Sequence, residues 1–169
     1  MKSILTLLFI IGCASLSAQN QVADEILSTW TKHTEMNHLI LNYIQETNLK
    51  DVTDTSSRNI GDQFAHMLNV RLMWLQSSPG VDKLDNEIDS KESQNKDYLM
   101  SQLKASDEFV GRILKEAHET DSHIGKMSAI RFMSYLISHE SHTRGQIVLA
   151  LKNSGHPLPP NIGYGIWSW

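Results

Sequence analysis

The sequence predicts an all-α protein, a four-helix bundle with a long crossover between its second and third helices, and three observations carry that prediction. Apolar residues recur at the three-to-four-residue spacing of amphipathic helices through most of the chain. Strand-like alternation with turn chemistry occurs nowhere over a useful length. Polar, Pro and Gly punctuation divides the periodic stretches into four.

The first helix is expected from about Val22 to Thr47, with Val22, Ile26, Trp30, Leu41 and Ile44 as core contacts. After the polar stretch "NLKDVTDTSS" the second runs from about Ser57 to Ser77, its core face formed by Ile60, Phe64, Met67, Leu68, Leu72 and Leu75. The connection "SSPGVDKLDNEID" is too long for a tight hairpin and contains Pro79 and Gly80, so it reads as the crossover. Asp89 with Glu92 three residues later has the form of a capping box. It would open the third helix, about Ser90 to Glu119, where Leu99, Leu103, Val110, Leu114 and Ala117 recur at helical spacing. The fourth helix begins near Lys126, after "ETDSHIG", and stops at Gly155, a C-cap followed by Pro157. The tail "HPLPPNIGYGIWSW" is broken at its start by Pro157, Pro159 and Pro160, and its Tyr164, Trp167 and Trp169 are expected to pack back on the bundle.

A chain of 169 residues that is 40% hydrophobic can bury the core of one domain. Its net charge of −4, with Lys and Arg scattered, gives no basic stripe to replace phosphate counterions, and nucleic acid is set aside as a partner. The opening "MKSILTLLFIIGCASLSAQNQ" has Lys2, an apolar run from Ile4 to Ile11 and then small residues, the layout of a secretory signal. The run is short for a bilayer span. Two processing routes fit: ordinary cleavage near Ala18, or a lipobox "IIGC" in which Cys13 becomes a lipid-bearing N-terminus. A buried N-terminal helix is the remaining reading. The chain is therefore expected to divide into a signal segment, residues 1–18, and a bundle domain, residues 19–169. The product would be periplasmic, secreted or lipid-anchored, touching a membrane only through that anchor. Cleavage after Ala18 would remove Cys13, the only cysteine, and with it any disulfide, thiol nucleophile or Cys-based metal site.

The fourth helix carries the chemical signal. At ~100° per residue, Phe132, Leu136, Ile147 and Ala150 share one sector with His139, Thr143 and Gln146, so polar groups point at the core. Unpartnered, each would cost ~1–3 kcal/mol. Positions 139 and 143 are one turn apart, the spacing at which two histidines would form half a metal site, but the second is Thr143. His142 projects roughly 60° away from His139. On the second helix, His66 lies on a stripe with Asp62 and Asn69 that faces either solvent or a cleft shared with the fourth helix. Arg71 falls near the centre of that helix's apolar face and needs a carboxylate, Glu140 or Glu35, unless it clamps a substrate anion. His33, His38, His118, His123 and His156 show no mutual spacing that implies a site and read as surface residues, with His38 the first to check.

"NIGDQFAHMLNVRLMWL" together with "SHESHTRGQIVLALKNSGHPLP" and the closing "YGIWSW" resembles the DinB-like superfamily over nearly all of the mature chain. The resemblance implies a four-helix bundle with a crossover after helix two, often a homodimer. Members characterised as enzymes include metal-dependent transferases that join bacillithiol or mycothiol to electrophiles, and a thiol-dependent maleylpyruvate isomerase. It also implies a three-histidine metal site, one ligand on helix two and a pair at i, i+4 on helix four before Arg-Gly-Gln. Carried over by position, these fall on His66, His139 and Thr143, and the third is a departure from the pattern; His142 matches a neighbouring histidine. The resemblance turns His66 inward. A hydroxyl is a poor ligand beside imidazole for Zn or Ni, so affinity should fall, with His142, Gln63, Asn69 or His38 as substitutes.

Two functions follow as expectations. In the first, a divalent cation of the Zn or Ni type on His66 and His139 serves a hydrolase or transferase, with Glu140 or Asp62 as candidate bases. Export argues against the thiol version, because such thiols are chiefly cytoplasmic. In the second, the former ligand positions form a polar core or a pocket for a small-molecule ligand, Thr143 pairing with a histidine and Gln146 with a backbone group or water. A partner-binding role for the Trp-rich C-terminus has only composition behind it.

Overall fold

The computed structural model describes residues 2–76, 78 and 87–169, with side chains from residue 20 onward. Its elements are α1 (Lys2–Tyr43), α2 (Ile60–Leu75), α3 (Lys96–Glu119), α4 (Ala129–Asn153) and a short α5 (Pro160–Gly165), with 3-10 turns at Glu46–Lys50 and Glu92–Gln94. Among the described residues there is no strand, only two isolated bridges. The fold is an all-α helical bundle. Most of the expected crossover, with Pro79 and Gly80, lies outside the described residues, as does the side chain of Cys13. No described helix is long and apolar enough to cross a membrane.

Capping explains where the helices start. Asn59 accepts from the Asp62 backbone N–H at 2.8 Å and starts α2 three residues later than Ser57. The capping box forms, with Glu92 N to Asp89 Oδ1 at 2.8 Å and Asp89 N to Glu92 Oε2 at 3.1 Å. It opens the 3-10 turn, however, and α3 begins only at Lys96 under its own cap, Asn95. Ser128 likewise places the start of α4 at Ala129 rather than Lys126. At its end, Gly155 adopts φ +82° while His156 N reaches Leu151 O and Gly155 N reaches Lys152 O, the Schellman pattern.

Helix α1 packs on α3, α2 on α4, and α2 and α4 both touch α3. One apolar cluster joins Ile40, Phe64, Leu99, Leu103 and Ile147, and a second joins Trp30, Val110, Leu114, Phe132 and Leu136. Two expected core contacts fail: Val22 is 40% exposed, and Leu72 is only partly buried. The tail also differs from expectation. A proline fits the first helical position because its missing N–H has no intrahelical partner there, so α5 starts at Pro160. Ile166 anchors it, and Trp169, though 61% exposed, stacks on the His33 ring at 6.4 Å and 24°, whereas Tyr164 and Trp167 are 78% and 72% exposed.

Two glycines on the helices that carry the site make opposite predictions. A methyl at Gly61 would press into the Ser93 backbone carbonyl, which seats the 3-10 turn on α2, while a methyl at Gly145 on α4 meets nothing within 4 Å. Gly61→Ala should lower stability by ~1–3 kcal/mol, the usual range for overpacking. Gly145→Ala should raise it by roughly 0.5–1 kcal/mol through helix propensity. Chemical denaturation of the two variants checks the pair.

Candidate metal centre and the buried charge cluster

Arg71 answers its own anomaly. From the middle of α2 it meets Glu140 of α4 in a two-point contact, Nε to Oε1 at 2.7 Å and Nη2 to Oε2 at 2.8 Å, with both side chains fully buried. Its Nη1 donates to Ser106 Oγ at 2.6 Å and Asp107 Oδ1 at 2.7 Å on α3. From α1, His33 Nε2 and Asn37 Nδ2 donate to Glu140 Oε2 at 3.0 and 2.8 Å. Arg144 Nη1 in turn donates to Asn37 Oδ1 at 2.7 Å, and the Trp30 ring lies 5.0 Å from the Arg71 guanidinium. All four long helices thus contribute to one cluster.

Burial by itself would raise the Glu140 carboxyl, but the Arg71 charge and the hydrogen bonds from His33 and Arg71 outweigh it and hold it well below the carboxylate range. Burial pulls the Arg71 guanidinium down, and Glu140 with Asp107 more than reverse it. Three expectations are corrected here. Glu140 cannot be a general base, because both of its oxygens are engaged and it sits at 0% exposure. Arg71, equally buried, is no clamp for a diffusing anion, and Glu35 instead pairs with Lys32 at the surface. His33 is a fully buried member of the cluster, not a surface residue.

The second constellation lies on the same two helices. His66 Nε2 and His139 Nε2 stand 3.3 Å apart, with ring centroids at 5.1 Å. Tyr135, one turn before His139, stacks on its ring at 6.1 Å and 20°. The stripe Asp62–His66–Asn69 is half-buried, not solvated: Asp62 accepts from Ser93 Oγ at 2.6 Å, and Asn69 bonds the backbone N and O of Ile88. Thr143 is buried, and its hydroxyl donates to the His139 carbonyl at 3.1 Å, a back-bond to the preceding turn. His142 is exposed and meets Gln146 Nε2 at 3.0 Å. The polar residues on α4's apolar sector therefore find partners mostly on α4 itself.

Burial, then the positive charge of Arg58 and the nearby His139, hold His66 below the ordinary imidazole range. Burial also lowers His139; Glu140 opposes this, while His142 and Arg58 add to it. Both rings are thus biased toward the neutral form that ligates metals. Two donors ~2.0–2.1 Å from a tetrahedral ion lie roughly 3.3–3.4 Å apart, so the observed separation suits one edge of such a site.

The rest of the donor set fits less well. Among the described residues no group of three or more His, Cys, Asp or Glu could hold an ion. Asn69 is committed to Ile88, and His38 belongs to the α1–α3 side, bonded to Asp107. Gln63 is buried with its Oε1 unpartnered. His139 Nδ1 also lacks a partner, whereas a ligating histidine normally donates that proton to an acceptor. His156 bridges to Asp51 at 2.7 Å and ties the end of α4 to the first 3-10 turn, far in sequence from either histidine of the pair.

No curated protein and no solved structure matches this chain. The model of the DinB family matches residues 17–166, which takes in α1 from residue 17, all of α2, α3 and α4, and both histidines of the pair. The chain belongs to the DinB family.

Proposed function

We propose that this exported DinB-family bundle binds one divalent cation of the Zn or Ni type through His66 and His139, more weakly than a three-histidine site would, and that the centre serves a metal-dependent hydrolase or transferase reaction. The observation that carries the reading is the 3.3 Å approach of two Nε2 atoms from different helices, both on rings biased toward neutrality. A bound cation would supply Lewis-acid polarisation of a substrate oxygen. The chain's own part is positional: α2 and α4 present the two imidazoles, Tyr135 supports the His139 ring, and Thr143, bonded to its own helix, adds no third imidazole. With Glu140 spoken for, Asp62 remains the candidate base. Export, with cleavage near Ala18 or lipidation of Cys13, favours hydrolysis over thiol transfer.

One observation favours a second reading, a non-catalytic polar pocket. The unpartnered His139 Nδ1 is satisfied at least cost if that ring carries its proton on Nε2 and donates it to His66 Nε2. Thr143, already bonded to its own helix, needs no metal either.

Elemental analysis and Zn titration of the mature protein separate the two. The first reading expects stoichiometric metal that chelator removes and His66→Ala abolishes, and a large gain in affinity for Thr143→His. A metal-free protein indifferent to Zn supports the pocket, whereas no gain in Thr143→His would mean that positions 66, 139 and 143 do not converge and would count against both readings.

The histidine pair also predicts a pH dependence. Because both rings are held below the ordinary imidazole value of ~6.5 in the fold, the unfolded chain binds more protons as pH falls from that point, and stability drops. It should be full above pH ~6.5 and decline through the weakly acidic range toward the lowered folded values. The carboxyl of Glu140 is depressed too, but from a lower starting point, so its contribution persists until pH falls below the ordinary glutamate value of ~4.3 and is then lost. Urea titrations from pH 8 to 4 should show the first decline in the parent and a flatter one in His66→Gln.

A further inference from the structure

On the opposite face of the cluster, His38 of α1 stands between two side chains of α3. Its Nε2 meets Asp107 Oδ2 and its Nδ1 meets Met100 Sδ at 3.0 Å. Asp107 is also the acceptor for Arg71 Nη1, so its carboxylate can only receive a proton from His38. In the neutral form, the one that ligates metals, the ring therefore carries its hydrogen on Nε2. That leaves the Nδ1 lone pair facing a thioether lone pair at a distance short for two unbridged acceptors.

We infer that His38 Nδ1 and Met100 Sδ form a site for a soft monovalent cation of the Cu(I) class, with Asp107 as the carboxylate that orients the histidine. Three features argue for it independently of the His66–His139 reading. Imidazole with thioether is a donor pair that prefers Cu(I) over hard or borderline divalent ions. A ligating histidine donates its other ring N–H to a carboxylate that is itself held, and here Arg71 holds Asp107, the support that His139 lacks. The position is reachable: the His38 side chain is 25% exposed, and Met100 is only partly buried. Admitting an ion at ordinary N and S bond lengths requires the sulfur to swing away on the order of 1 Å, within reach of a chain with three rotatable bonds.

The test is an anaerobic Cu(I) titration against a colorimetric Cu(I) chelator, using the full chain with Cys13→Ser and His66→Ala. These changes remove the only thiol and break the other imidazole pair. The site predicts a single bound Cu(I) whose affinity falls at least ~100-fold in Met100→Leu, beyond the 10–100-fold typical of losing an outer-shell partner. Leucine conserves the volume, so the fold is retained. The His38 ring nitrogen resonances should shift as Cu(I) is added. No bound Cu(I), an affinity unchanged by Met100→Leu, or a proton still on His38 Nδ1 at saturation would each overturn the assignment, whatever the His66–His139 pair does with Zn.

Discussion

The two-point contact between Arg71 and Glu140 is the constraint around which this bundle is organised. A guanidinium and a carboxylate at 0% exposure are each costly to desolvate, and they are tolerable only because each completes the other's hydrogen bonding. The remaining capacity of the pair then dictates what the other helices must bring. Asp107 and Ser106 from α3 take the last guanidinium nitrogen, and His33 and Asn37 from α1 fill the second carboxylate oxygen. Any sliding of one helix by a turn would strand a buried charge, so the cluster fixes the register of all four long helices together.

That register positions the histidine pair. Glu140 follows His139 directly on α4, and Arg71 lies five residues beyond His66 on α2, so the ion pair and the imidazole pair tie the same two helices at neighbouring levels. The charged contact is fully buried, with every oxygen of Glu140 and every nitrogen of Arg71 engaged, and its orphan is the Nδ1 of the supporting His33. The imidazole contact is half-buried and incompletely supported, with one unpartnered ring nitrogen and a threonine, Thr143, where the sequence resemblance implies a third histidine. The two layers therefore divide the work: one holds the helices, and the other is left free to vary. Residue 143 can vary with the register intact, because nothing in the ion-pair cluster passes through that side chain.

Much of this was legible in the sequence, and the gaps have physical causes. Helical period located all four long helices, since Leu99, Leu103, Val110, Leu114 and Ala117 are all buried as their spacing requires. The starts of α2, α3 and α4 moved by a few residues where a polar residue closer to the helix, Asn59, Asn95 or Ser128, was the actual cap, whereas α1 runs from Lys2 rather than Val22 and ends at Tyr43 rather than Thr47. Period alone could not decide between solvent and cleft for Asp62, His66 and Asn69, because a half-buried polar stripe and a solvated one have the same spacing. The resemblance carried by "NIGDQFAHMLNVRLMWL" is what turned His66 inward, as the structure has it. Arg71 could be flagged from its place on an apolar face, and one of its two named partners is correct. His33, Asn37 and Arg144 gave no such signal, since their roles arise from a carboxylate about a hundred residues away or a neighbour's amide. The exposed Tyr164 and Trp167 misled in the other direction, while Trp169 lies against His33 with one face still open: an aromatic residue predicts burial only when some surface is available to receive it.

The claim that the ion pair organises the bundle is tested most directly by a double-mutant cycle on unfolding free energy with Arg71→Met and Glu140→Leu. Each single change leaves an uncompensated buried charge and should cost ~3–5 kcal/mol. If the account is right, the double variant loses far less than the two together, with a coupling energy toward the upper end of the ~0.5–3 kcal/mol seen for contacting residues. Additive losses would mean that neither charge depends on the other, and would contradict it.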